Sequence, residues 1–337
     1  MRICYGCMRP FPEGGSCGCG WDPGQETHVP RLPLGSIVGR QYEVGRVLDR
    51  DRDWINYLGL DRMTGQRVQI REFFAYGMER AFDGYLRTGW RGTEKELVMQ
   101  RDMFILEAAT MAVLQDVPGM IHQKTWFQEN GTIYSVREYM DGPSLAEWIR
   151  DRGKCSLRET LALLEPVAQA LTTIHRRGMT HWYMTPLEIL VTPRGAVLTG
   201  FGEKFLLDMR PPDHSGPLLP YECSQPLEFQ SSLGTRDTRA DVYMLAADVY
   251  YCLTGMQFSA FQLLERGGLD RSLAKLKPWQ WDALEKGLAL RLRDRTESVE
   301  LFIRSLKEKP AVEERPAPEE EKSPAGGSIL RRRRRGR

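Results

Sequence analysis

No stretch of the sequence approaches the roughly eighteen consecutive apolar residues that a membrane-spanning helix needs. The N-terminal MRICYGCMRP also lacks the apolar core of a secretory leader. Both absences predict a cytoplasmic protein. Net charge is nearly absent too, +2 over 337 residues, so no global field draws the chain to nucleic acid or membrane, and any such attraction must be local. Cysteine is sparse beyond the N-terminus: Cys4, Cys7, Cys17 and Cys19 crowd together, whereas Cys155, Cys223 and Cys252 are scattered. That distribution fits a local metal site in a reducing compartment better than a disulfide framework.

What is present is an ordinary globular composition, 41% hydrophobic and 27% charged, sufficient for one large domain with small appendages. Residues 1–24 are rich in Cys and Gly and read as a small module, and the polar, proline-bearing residues 25–41 read as a linker. Between Tyr42 and residue 142, short β-type runs (YEVGRVL, RVQIREFF, TIYSVREY) surround one helical segment, FILEAATMAVLQ. Residues 143–308 are mainly helical. Ser156 and Glu159 form a capping box ahead of LALLEPVAQALTTIHRRG, and DVYMLAADVYYCLTG, apolar almost all round, closes on Gly255 as a buried helix should. Residues 309–337 carry too little apolar content to pack and predict a disordered tail ending in the basic block Arg331–Arg337.

Eight short motifs then fall in one order: VQIRE with Arg71, FILEA with Glu107, REYMDGPSL with Arg137, HWYMTPLEIL from His181 to Leu190, GFG from Gly200 to Gly202, PLE with Glu228, DVY with Asp241, and Arg295. With these anchors the chain from Tyr42 to about Leu306 resembles bacterial serine/threonine protein kinases. The pairing with a cysteine ribbon resembles a group found in Firmicutes. The resemblance implies an α+β, two-lobed kinase-like fold, with a β-rich N-lobe at 42–142 and a helical C-lobe at 143–308 behind a zinc-ribbon-like module.

The same alignment exposes departures at the positions that handle ATP. In the glycine-rich loop, Asp49, Asp51, Arg52 and Trp54 stand where glycines let backbone amides approach phosphates. Asp49, Asp51 and Asp53 repel a polyphosphate, and Trp54 adds bulk. Arg71 replaces the ATP lysine and can still pair with Glu107. Tyr183 replaces the catalytic aspartate, and a phenol with a pKa of about 10 is a poor proton acceptor at neutral pH. Thr185 replaces the loop lysine, Glu188 the metal-binding asparagine, and Gly200 the metal-loop aspartate; magnesium, which wants hard oxygen ligands, is left with Glu188. Gln69 and Arg137 are expected to block the adenine space beside Leu48 and Leu190, with Arg137 paired to Glu107 or Glu138. Retained positions are structural: His181, Phe201 and Met111 in an apolar column, Asp241 holding loop backbone, and Glu228 paired with Arg295.

Cys4 and Cys7 form CxxC and Cys17 and Cys19 form CxC, four thiolates that can close a tetrahedral zinc site. Ser16 stands where the second knuckle would place a cysteine, and His28 is a possible substitute ligand. A module this small does not fold without metal. The expectation is a catalytically inactive pseudokinase, not an enzyme, that acts as a signalling scaffold for a protein partner, with structural zinc and without ATP or magnesium. The alternative is an atypical or weakly active serine/threonine kinase that still binds ATP. Arg331–Arg337 can contact anionic lipid or nucleic acid, or stay solvated beside Glu319, Glu320 and Glu321.

Overall fold

A computed structural model describes residues 2–13, 15–25, 30–50, 53–75, 78–82, 86–90, 94–182, 184–201, 225–230 and 237–309. Asp51, Arg52, His28, Tyr183, Gly202, Cys223 and Arg331–Arg337, all singled out above, lie outside the described residues.

At the N-terminus, strands β1 (Arg2–Ile3) and β2 (Pro10–Phe11) pair antiparallel. A six-stranded antiparallel sheet follows, in the order β3, β4, β5, β6, β10, β9. Its strands are β3 (Ile37–Val38), β4 (Tyr42–Arg50), β5 (Trp54–Asp61), β6 (Arg67–Phe73), β9 (Gln123–Glu129) and β10 (Thr132–Glu138). A separate hairpin joins β7 (Met78–Phe82) to β8 (Leu86–Trp90). Helix α1 (Glu94–Val113) packs on β9 and β10 and begins well before the apolar run that marks it in the sequence.

The two-residue strand period sends neighbouring β6 side chains to opposite faces. Arg71 faces α1 and pairs with Glu107 at 2.6 Å. Glu72, next in sequence, enters a buried network on the other face, where it accepts from Tyr57 Oη and Tyr134 Oη, each at 2.7 Å, and from Arg80 at 2.5 Å. Tyr57 Oη in turn accepts from Leu32 N at 3.1 Å, which ties the incoming linker to the sheet. A carboxylate this deep is tolerable because each oxygen is hydrogen-bonded and a guanidinium neutralises it.

Beyond β10 the chain is helical. Helices α2 (Leu145–Arg152) and α3 (Leu157–Arg176) each start at a complete capping box, Ser144 with Glu147 and Ser156 with Glu159. The short hairpin β11 (Ile189–Thr192) and β12 (Gly195–Leu198) packs on α3 and α2. Helix Arg239–Thr254 is buried on nearly every side and stops at Gly255, whose φ of +69° suits a residue without a β-carbon. It forms the centre of the larger hydrophobic core, and the sheet and α1 enclose a second, smaller one. Asp248, one position in that helix, is wholly buried, and neither carboxylate oxygen has a hydrogen-bond partner among the described residues.

Candidate functional site

The two cores meet across a cleft containing a cavity of about 380 Å³, lined by residues from β4, β5, β6, α1, β10 and the segment Leu187–Phe201. At its back, two guanidinium groups converge on one carboxylate. Arg71 reaches Glu107 Oε2 at 2.6 Å and Arg137 reaches Glu107 Oε1 at 2.7 Å. Arg137 also donates to Thr199 O at 2.8 Å and to Gln123 Oε1 at 3.2 Å, so one side chain bridges β10, β9, α1 and the loop after β12. The Arg71 guanidinium lies 4.3 Å from the centre of the Trp54 ring. Trp54 is 4% exposed, so this stacking shields the ion pair from water.

The sequence led us to expect Gln69 and Arg137 to fill this space. Both belong to the cavity wall, and the cavity persists because Arg137 is drawn back onto Glu107 and Thr199. Leu190 pairs with Val197 in the β11–β12 hairpin, and the apolar wall at that end is Leu187. Asp49 lines the opening, where it accepts from Asn56 Nδ2 at 2.7 Å. Arg50, Asn56, Ser144, Glu147 and Leu187 also line the cavity. None was marked as functional in the sequence, since Ser144 and Glu147 carry only the signature of a helix cap.

In the helical lobe, Asp241 accepts from His181 N at 2.8 Å, from Trp182 N at 2.9 Å and from His175 Nε2 at 2.7 Å. These bonds hold Trp182 in the left-handed region, φ 68°, a strain that survives only where neighbours fix it. His181 Nε2 lies 2.6 Å from Gly200 O, which makes Nε2 the protonated nitrogen, and burial lowers the imidazole pKa and keeps the ring neutral. Its ring meets Phe201 edge-on at 5.2 Å, and Met111 is buried in the larger core. Thr185, in the place of a lysine, turns inward and accepts from Leu187 N at 3.2 Å. Arg295 chelates Glu228 at 2.5 and 3.1 Å in the same lobe.

Glu188 is the feature that no separate reading of positions revealed. A β-carbon built on Gly200 would stand 2.8 Å from Glu188 Oε2 and 3.7 Å from Glu107 Oε1. The Glu188 carboxylate therefore occupies the space that a side chain at 200 would need, and Thr199 Oγ1 holds it at 3.1 Å. The two substitutions are spatially complementary.

At the other end of the chain, the four N-terminal sulfurs lie within 4.8 Å of one another, with Cys4–Cys19 at 3.6 Å and Cys7–Cys17 at 3.5 Å. Four thiolates about 2.3 Å from a tetrahedral ion stand roughly 3.8 Å apart, so this cluster fits a metal ion. The Cys19 backbone amide pulls the Cys17 thiol down to about 7, which favours the thiolate a metal requires, whereas burial pushes Cys7 up to about 12.

Comparison with known proteins bears on the cleft. No family model matches the chain. The architecture aligns with the solved structure of the PpkA-294 apo form over 82% of this chain and 100% of that one, with a TM-score of 0.69 and 22% identity. The fold is that of a protein kinase. Among curated proteins, serine/threonine-protein kinase PknA of Mycobacterium tuberculosis is 33% identical over 161 residues, 46% of this chain and 37% of its own length. The probable serine/threonine-protein kinase CPE1738 of Clostridium perfringens is 28% identical over 225 residues, 66% of this chain and 30% of that protein. PrkC of Bacillus subtilis is 26% identical over 225 residues, 66% and 32% respectively. The matched region spans about a third of each relative's length. These names overturn the expectation that the kinase-like chain is not an enzyme, which rested on replaced residues counted one by one. Among the described residues, no helix is long and apolar enough to cross a membrane.

Proposed function

We propose that this chain is an atypical serine/threonine protein kinase that binds ATP with magnesium in the interlobe cleft and transfers phosphate slowly to a protein hydroxyl. The observation that carries the reading is the Glu188 carboxylate beside Gly200. Magnesium takes hard oxygen ligands, and a carboxylate in the space of the lost metal-loop aspartate is of the right chemical kind. Glu188 would hold the ion, which when bound neutralises charge between the phosphates. Arg71, oriented by Glu107 and Trp54, contributes fixed positive charge at the back of the cavity. Arg137 ties β10 to the loop after β12, and Asp241 fixes the His181 and Trp182 amides.

Phosphoryl transfer passes through a loose transition state in which positioning and charge do most of the work. A missing general base therefore lowers the rate, by about 10²–10⁴ on the usual scale, without removing the route. The four-cysteine site serves in this reading as structural zinc. The test is incorporation of labelled phosphate from ATP with magnesium into the chain or a generic protein substrate. Slow incorporation that Glu188→Gln abolishes supports the reading; incorporation indifferent to Glu188, or none at high enzyme concentration, overturns it.

A further inference from the structure

The cysteine cluster lies against the strand whose end roofs the cleft. Between its first two cysteines, the carbonyls of Tyr5 and Gly6 accept from Arg46 of β4: Arg46 N donates to Tyr5 O at 2.8 Å and Arg46 Nε donates to Gly6 O at 2.7 Å. The β4–β5 pairing is irregular at this point, shifting register between Val44 and Val47. Such an irregularity takes a backbone amide out of the strand ladder, and a buried amide must find a partner elsewhere. Arg46 finds it in the cysteine knuckle. Gly45 shows how closely the two surfaces meet, since a β-carbon there would stand 2.7 Å from Tyr5 O and 2.9 Å from Met8 Cε. Met8, which follows the second cysteine, is only 2% exposed. Three residues beyond Arg46, Asp49 and then Arg50 line the cavity.

We propose that a metal ion held by Cys4, Cys7, Cys17 and Cys19 acts as a clamp on β4, fixing the knuckle carbonyls that the strand irregularity needs and thereby the position of the Asp49–Arg50 roof. Metal loss frees residues 5–8, leaves the Arg46 amide without its acceptor, and loosens the roof. Coupling between two sites is reciprocal, so a ligand that orders the roof retains the metal longer. That second consequence, with ATP as the ligand, rests on the reading of the cleft given above.

The test is hydrogen–deuterium exchange over residues 43–50 of the full chain, with metal content measured on the same samples. The wild type is expected to carry about one zinc per chain. Cys17→Ser with Cys19→Ser should lose it and speed exchange in 43–50 by about tenfold or more, while helix Arg239–Thr254 keeps its protection. Arg46→Met should keep the zinc yet show faster exchange in the same segment, which separates the clamp from general unfolding. Unchanged exchange in metal-free protein, or a wild type without metal, overturns the proposal. Transfer of zinc to a chromophoric chelator, with and without ATP and magnesium, supplies the second readout. Slower transfer supports both the clamp and the nucleotide site, whereas unchanged transfer beside faster β4 exchange upholds the clamp and removes the nucleotide.

Discussion

Asp248 and Glu188 are both acidic residues whose surroundings the sequence alone does not reveal. Asp248 interrupts an apolar helix as one of two carboxylates, with Asp241, among fifteen residues from Asp241 to Gly255, and a period-based reading absorbs it. In the fold it is fully buried, and desolvation raises its pKa well above the ordinary carboxylate value. The native state therefore holds a proton that the unfolded state releases. Its contribution to stability is fully present below about pH 4, the unfolded value, and is lost as pH rises through the higher folded value. Asp248→Asn keeps the shape without the titration, so urea midpoints of wild type and variant, measured from pH 4 to pH 8, should diverge, with the wild type falling relative to the variant. Parallel curves would show that Asp248 finds a partner in solution. Glu188 was legible as a residue type, but its role depended on Gly200 lying beside it.

At the scale of elements, α1 is joined to β6 and β10 through a single buried carboxylate. Glu107 accepts from Arg71 and Arg137 on separate oxygens, and all three side chains are at most 5% exposed. Replacing the one carboxylate leaves two buried guanidinium groups facing each other, a loss on the order of 3–5 kcal/mol for breaking a buried pair. Glu107→Gln should lower the urea midpoint accordingly, and a change below about 1 kcal/mol, the surface-pair range, would mean that water enters the pair. Arg71→Lys is expected to be milder because the ammonium still reaches Glu107, although it forfeits the planar stacking on Trp54. The pairing of Arg71 with Glu107 was legible from motif order. The second arginine was legible as a buried cation needing a partner, but its reach to Thr199 O was not, since nothing local to β10 points to a loop 62 positions away.

Across the whole molecule the sheet lobe and the helical lobe carry separate hydrophobic clusters, and the described links between the lobes include Arg137 to Thr199 O, the backbone bonds of Ile121 N and Gly119 O to Leu198, and the Arg177–Asp116 ion pair. Arg137→Met should therefore loosen the lobes relative to one another: exchange in β4–β6 and β10 rises by about tenfold, roughly 1.4 kcal/mol, while helix Arg239–Thr254 stays protected. Uniform loosening of both lobes would show that one cooperative unit spans the cleft. A nucleotide that binds only the folded state raises the melting temperature, with about 2.7 kcal/mol expected at one hundred times Kd. ATP with magnesium should produce such a shift in the wild type and a smaller one in Glu188→Gln.

The two-lobed fold was legible in the sequence because strand alternation, capping boxes and the order of eight short motifs are local signals that survive one by one. Strands β5 and β9 do not stand out in the sequence, where Trp54, the first residue of β5, reads as part of the glycine-rich loop. The four cysteines announced their own cluster through spacing. What only the tertiary structure decided is how distant substitutions fit together. Glu188 beside Gly200, Arg137 held against Glu107 and Thr199 in the cavity wall, and the knuckle seated on a register shift in β4 are all relations between residues that are not neighbours along the chain. Their chemistry depends on distances that no local pattern encodes.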